Sequence, residues 1–554
     1  MSAAETTAAT PPASIDPIMT EVIYNQVLGA AEEMGTALAR TAYSPNIKQR
    51  FDFSTAVIGL DGEVLAQAPR IPIHLGSMIG SVRELVRTRP LETLRPGDMF
   101  LANDPYNGGG QHLPDINVMA PVFFDDEPVA FVANIAHHAD VGGMLAGSEA
   151  IACKTIFQEG IRFPTVQVMR EGEIVEDILS IVALNSRTPD ERRGDLLAQI
   201  AANQVGSRRV KECVAKFGAA ATLGALTSYM NATETRFRSV LADIPDGTAT
   251  VEDFLDPDVY APERPVPIRL TLEKRGTDIF LDFAGSAEQL QSARNVPLGA
   301  LHSTIYSVLK MLLDPGLAAN SGYFRAIHIS SPEGSVLNPN VGAAVGARAL
   351  PCAVIGDVVA RAISELVPER ALSGCGPHHQ IIFSGEREQP GQFWVNYETY
   401  AGALGARPYK DGTDAIRVHA SGSSNLPVEA LEQSYPLLIE EYALNPASAG
   451  EGQYRGGAGI IRSYRALADM RVTLAAERQT VPAKGLAGGE DGQPGTFILN
   501  PGTTGEEILY SALGEREIRA GEVISVQTPG AGGYGPKTAR VSATKAGARP
   551  GRDT

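Results

Sequence analysis

Apolar residues recur every three or four positions at Ile18, Val22, Ile23, Leu28, Ala31, Met34 and Leu38, with Asp16 placed as an N-cap. That spacing predicts one long helix from Asp16 to Ala42 with a single buried face. The period then shortens. "DFSTAVIGLDGEVLAQ" predicts a β-hairpin turning at Asp61-Gly62, and "SMIGSVRELVRTR" a helix closed by Pro90. From Met99 to Gly143 the order is strand, glycine-rich loop, strand, strand, loop. Residues 178–240 return to helical spacing, as in "DLLAQIAANQVGSRRVKECVAKFG", where Gly218 is a natural stop.

From about residue 246 the texture changes. "YAPERPVPIRLTLEKRGTDIFLDFAGSA" alternates apolar and polar positions around Gly276, a helix follows near 300–313, and another near 355–367. Beyond 395, glycine-rich turns alternate with short strands as far as "TPGAGGYGPK". The expected fold class is therefore α+β and multidomain, with mixed sheets, helices and a β-rich C-terminal region. The expected division is a disordered N-terminus (1–16), an N-terminal domain (17–245), a central α/β domain (246–395), a β-rich domain (396–536) and a disordered basic tail (537–554).

Composition narrows the function. A length of 554 residues exceeds one core, and a net charge of −17 argues against a nucleic-acid partner, which needs clustered Lys and Arg. "MSAAETTAATPPASIDP" has neither the basic nor the apolar region of a secretory signal, and no window reaches the ~18 apolar residues of a membrane span. The four cysteines, Cys153, Cys213, Cys352 and Cys375, form no CxxC pair and no disulfide framework. A reducing cytoplasm is the expected compartment.

The chemistry concentrates in "NDPYNGGGQHLPDINVMAPVF" and, just downstream, "ANIAHHADVGG". His112 and Asp115 have metal-ligand spacing, but Pro114 excludes a regular helix between them, so they converge from a loop. His137 and His138 end the apolar run "PVAFVANIA"; on extended backbone they point to opposite faces, so only one joins His112 and Asp115. A mixed His/carboxylate set favours Zn²⁺, Mn²⁺ or Fe²⁺. The chain has no P-loop, no dinucleotide fingerprint and no GxSxG elbow. His378, His379 and His419 are expected to be structural.

Several long stretches resemble the hydantoinase B/oxoprolinase family. They are "RFDFSTAVIGLDGEVLAQ", "IPIHLGSM", "NDPYNGGGQHLPDINVMAPVF", "AHHADVGG", "QEGIRFP", "NSRTPDERRGDLLAQIAA", "NVPLGALHSTIYSVLK", "YPLLIEEYALNPASAGEGQYRGGAGI" and "GLAGGEDGQPG", spread over nearly the whole chain. The resemblance implies the B subunit of an ATP-dependent hydrolase of hydantoin, 5-oxoproline or lactam rings, in a hetero-oligomer with a hydantoinase A-type ATPase subunit. That ATPase would bind ATP and phosphorylate the ring carbonyl oxygen, and the B-type chain would complete the hydrolysis at one divalent transition metal. By motif, the metal ligands would be Asp52, His112, Asp115 and His137. His138, Asp140 and His74 would support the ligands from behind or handle protons, and Asn103 and Asp104 would shape the loop. The alternatives are a subunit of an ATP-dependent ketone carboxylase of the acetone or acetophenone type, and a non-catalytic scaffold for the ATPase.

Overall fold

The structure, a computed structural model, describes residues 16–540 apart from 388, 420, 512 and 513. The disorder expected for 1–16 and 537–554 falls mostly outside these residues. Asp16 is ordered as the N-cap of helix Pro17–Thr41, accepting the Ile18 amide at 3.4 Å, and Lys537–Ala539 forms a 3₁₀ turn.

The first half is built on a seven-stranded antiparallel sheet. In chain order its strands are β1 (Phe53–Ile58), β2 (Val64–Gln67), β3 (Met99–Ala102), β4 (Asp115–Phe124), β5 (Glu127–His137), β6 (Val166–Arg170) and β7 (Glu173–Ile174), arranged β2-β1-β5-β4-β3-β6-β7. Both faces are covered. Ile116, Val118, Ala120, Val132 and Ala136 pack with residues of helices Pro17–Thr41 and Pro189–Phe217. Met119, Phe131, Ala133 and Ile135 meet Met78, Val82 and Leu85 of helix Ser77–Thr88. Burial on both sides explains why β5 reads as an unbroken apolar run rather than an alternating one. The helical stretch expected over 178–240 is three helices, Glu176–Leu184, Pro189–Phe217 and Ala219–Ala242. Gly218, at φ +84°, separates the last two.

A four-stranded mixed sheet follows: Gly247–Leu255, Val266–Arg275, Asp278–Asp282 and Ile327–Ser330, the last pair parallel. Its buried positions share a core with helices Leu298–Leu313 and Ala349–Leu366. The parallel pairing needs a crossover, and helix Leu298–Leu313 lies within it.

The remaining strands form two main antiparallel sheets around one core. One contains His379–Glu386, Phe393–Tyr400, Met470–Ala475 and Glu515–Ile518; the other has the order Leu437–Asn445, Gly459–Ala466, Val523–Gln527, Thr496–Leu499 and Glu507–Leu509. The expected division at 395/396 cuts strand Phe393–Tyr400, whose partner His379–Glu386 pairs onward with Met470–Ala475. The late glycines permit backbone to lie on backbone: a Cβ on Gly530 would come within 1.9 Å of the Ser448 carbonyl oxygen. Among the described residues no helix is long and apolar enough to cross a membrane.

Candidate metal centre

The β4–β5 register sets the centre. Asp115, the first residue of β4, lies directly opposite His137, the last of β5. Directly opposed residues in an antiparallel pair share a face, so both side chains point the same way. On the other side of β5, the His137 amide donates to the Asp52 carbonyl oxygen at 3.0 Å, just ahead of β1. Asp52, His137 and Asp115 thus come from the ends of three neighbouring strands and line one small cavity of about 30 Å³.

His112 arrives from the glycine-rich loop. Asn103 ties that loop down, its amide donating to Leu113 and Ile161 carbonyls while its oxygen accepts the Phe163 amide. Asp104 accepts from the Tyr106 amide and the Asn107 side chain. Gly108 adopts φ +76° with its Cα against Gly80, where a Cβ would lie 2.4 Å from a carbonyl oxygen. A one-turn bend, Asp115 amide to His112 carbonyl at 3.1 Å, brings the two side chains together across Pro114.

His112, Asp115 and His137 are buried, and one ligand-type atom of each falls within 4.8 Å of the others. His112 Nε2 lies 3.4 Å from Asp115 Oδ1, and neither atom has a hydrogen-bond partner. Two buried, unpaired donor atoms at that separation fit one cation: ~2.0–2.1 Å bonds in a tetrahedral shell put neighbouring ligand atoms about 3.4 Å apart. Asp52 lines the same cavity but stands outside that trio. His74 also lines it, with Nε2 3.7 Å from Asp115 Oδ1 and Nδ1 3.2 Å from the Ser54 hydroxyl.

The other two expected residues turn elsewhere. His138 points to the opposite face of the sheet, where Nε2 meets Gln199 Oε1 at 2.9 Å. Asp140 accepts the Gly142 and Gly147 amides and pairs with Arg187 at 3.0 Å. It organises the loop after β5.

Two residues without a spacing signal complete the surroundings. Glu149 Oε1 sits 3.0 Å from His112 Nδ1 and 2.9 Å from His137 Nε2, and its other oxygen accepts from Gln380 at 2.5 Å. Arg348 donates to Asp115 Oδ2 at 2.5 Å. The Gly346 carbonyl lies 2.9 Å from His112 Nδ1, and Asn46 reaches His137 Nδ1 at 3.0 Å. These partners fix ring orientation, as second contacts to metal-binding imidazoles do. Burial and the Arg348 charge push the His112 pKa down, but Asp115 and Glu149 more than offset them, leaving it raised to about 9. Burial pushes the Asp115 carboxyl up, yet His112 and Arg348 hold it well below the usual range.

The three histidines expected to be structural separate clearly. His379 Nε2 lies 3.2 Å from the Glu477 carbonyl oxygen within the β core. His419 pairs with Asp357 at 2.9 Å, and Cys375 completes a second buried group with them. Asp357 is already engaged by Arg478 at 3.1 Å and by the Cys375 amide at 3.0 Å, while burial pushes the Cys375 thiol up. That group reads as a brace between segments. His378 differs from both: it lines the first cavity.

The whole chain, with this centre at its strand ends, has similar counterparts among known proteins. The chain belongs to the hydantoinase B/oxoprolinase family, which it matches over residues 16–537. A Pseudomonas sp. (strain NS671) protein, provisionally named as the B component of a D-/L-hydantoinase, is 32% identical over 537 residues, covering 94% of this chain and 90% of its own. A 5-oxoprolinase of Dictyostelium discoideum is 31% identical over 532 residues, 95% of this chain but only 41% of that longer protein. Among solved structures, the ATP-dependent caprolactamase from Pseudomonas jessenii superposes with a TM-score of 0.88 at 27% identity, covering 96% of this chain and 93% of that one. Nucleotide-free acetone carboxylase shares the fold, with a TM-score of 0.82 at 18% identity over 95% and 76% of the two chains.

Proposed function

We propose that this chain is the metal-bearing component of an ATP-dependent cyclic amidohydrolase. It would act on a hydantoin, 5-oxoproline or lactam ring whose carbonyl oxygen an A-type ATPase subunit has phosphorylated. The observation that carries the reading is the unpaired couple His112 Nε2 and Asp115 Oδ1, buried 3.4 Å apart beside His137. Likeness to a caprolactamase over almost the entire chain supports it, as does the relative named as a hydantoinase component.

Asp52, His112, Asp115 and His137 would hold one divalent transition metal. When bound, such an ion lowers the pKa of a coordinated water towards ~7 and so supplies a nucleophile at neutral pH. The chain's own groups prepare the site. Glu149 and the Gly346 carbonyl aim His112 by its Nδ1, leaving Nε2 for the gap. Arg348 engages Asp115 Oδ2 and leaves Oδ1 bare. His74 stands beside that oxygen as a proton-handling group. His138 and Asp140 act here by holding the β5 end and its loop in place.

Phosphorylation makes the amide carbon imidate-like and electrophilic. Water adds to it, the ring carbon–nitrogen bond breaks with the nitrogen leaving protonated, and hydrolysis of the resulting acyl phosphate releases phosphate. The carboxylase reading draws only on likeness of fold. Bicarbonate separates the two, because the hydrolase opens its ring without it. The test is ring opening by the chain mixed with an A-type subunit, ATP and a panel of lactams and hydantoins in bicarbonate-free buffer.

A further inference from the structure

His378 and His379 are adjacent but part company. His379 begins a strand and packs 5.1 Å from the Phe497 ring with its Nε2 on a carbonyl oxygen. Consecutive side chains on extended backbone face opposite ways, and His378 faces the cavity that Asp52, His74, Asp115 and His137 line. The cavity is small, about 30 Å³, so His378 stands next to whatever occupies it.

Its imidazole is 4% exposed and makes no hydrogen bond among the described residues. Each other histidine lining or facing the centre has at least one ring nitrogen engaged: His112 Nδ1 by Glu149 and Gly346, His137 by Asn46 and Glu149, His74 Nδ1 by Ser54. Arg417 also lines the cavity and pairs with no carboxylate among the described residues. It donates to Thr399 and Ser421.

We propose that His378 is a catalytic residue of the ring opening, taking a proton from the attacking water and returning it to the departing ring nitrogen. This rests on the amidohydrolase reading above. The balance is simple: the water's O–H bond breaks towards the imidazole, the oxygen bonds to the activated carbon, and the imidazolium proton ends on nitrogen as the carbon–nitrogen bond breaks. In its neutral form the His378 imidazole has a ring nitrogen that accepts a proton. A phosphorylated substrate adds negative charge beside it. That charge raises its proton affinity towards the range where transfer both ways is efficient.

The test compares His378→Asn and His378→Gln with the unaltered chain, each in complex with the A-type subunit. Measured together are kcat, KM for the ring amide, the pH profile of kcat and metal content of the purified chain. The expected result is a kcat about 100-fold lower or more, KM changed by less than about threefold, unchanged metal content and loss of the acid limb of the profile. A kcat within about threefold of the unaltered complex overturns the proposal while leaving the amidohydrolase reading intact. So does a joint loss of kcat and metal in both variants, which marks a structural role. If the unaltered complex opens no ring amide, the underlying reading fails, and this proposal with it.

Discussion

Asp115 divides its labour between its two oxygens. Arg348 takes Oδ2, and Oδ1 remains bare opposite His112 Nε2. Removing either ligand-type side chain should empty the centre. His112→Ala or Asp115→Ala is expected to lose bound metal by elemental analysis and to slow turnover at least ~100-fold, while the complex with the ATPase subunit still forms in gel filtration. A second prediction concerns the metal-free chain. The His112 pKa is raised to about 9 from 6.5, so its proton binds more tightly in the folded state than in the unfolded one. The stability this adds is complete below about 6.5 and is lost as pH rises through about 9. After chelation, the Tm of the unaltered chain should therefore fall between pH 6.5 and 9.5 relative to His112→Gln. A difference that stays flat or grows with pH contradicts the assignment. His112 and Asp115 are legible as a pair because glycine and proline punctuate the loop that carries them. Glu149 and Arg348 are not, since their partners lie 12 and 233 residues away and nothing local marks them.

Elements position these residues through register rather than propensity. Parity along β5 separates His137 from His138. The sequence carries that alternation, but only the pairing of Asp115 with His137 tells which ring faces the loop. The glycine-rich loop is equally exact in its demands. At Gly108, φ +76° and a Cβ clash at 2.4 Å with Gly80 both exclude a side chain. Gly108→Ala is expected to cost on the order of 2–4 kcal/mol in urea unfolding. It should also lower metal occupancy, because the loop that carries His112 must shift. A loss under about 0.5 kcal/mol would show that the loop does not depend on this contact. The long helices are the most readable elements, as at Pro17–Thr41, announced by three-to-four spacing and the Asp16 cap, and at Pro189–Phe217, stopped at Gly218. The start of the β-rich region is less so. Strand His379–Glu386 is tied to Met470–Ala475 by pairing across more than eighty intervening positions, information no local window holds.

On the scale of the whole molecule, the cavity draws on every region of the chain. Asp52, His74, Asp115 and His137 come from the first sheet and its loops, Arg348 from the approach to helix Ala349–Leu366, and His378, Tyr397 and Arg417 from the β-rich part. Such a site forms only when all three are packed together, so a metal bound there would link its binding to global folding. Added Zn²⁺ or Mn²⁺ should raise the Tm of the chelated chain in one transition, by an amount that grows with metal concentration. Two separate transitions, only one of them shifted, would argue against this shared centre. The chain carries no nucleotide-binding motif, and one of its relatives is named as one component of a larger enzyme. The most direct measurement is therefore ring opening followed by amine release, with the chain alone, with an A-type ATPase subunit, and with that ATPase plus ATP, all in bicarbonate-free buffer. The account predicts product only in the last mixture, with ATP consumed in proportion. Ring opening by the chain alone without ATP, or product that appears only when bicarbonate is added, would contradict it.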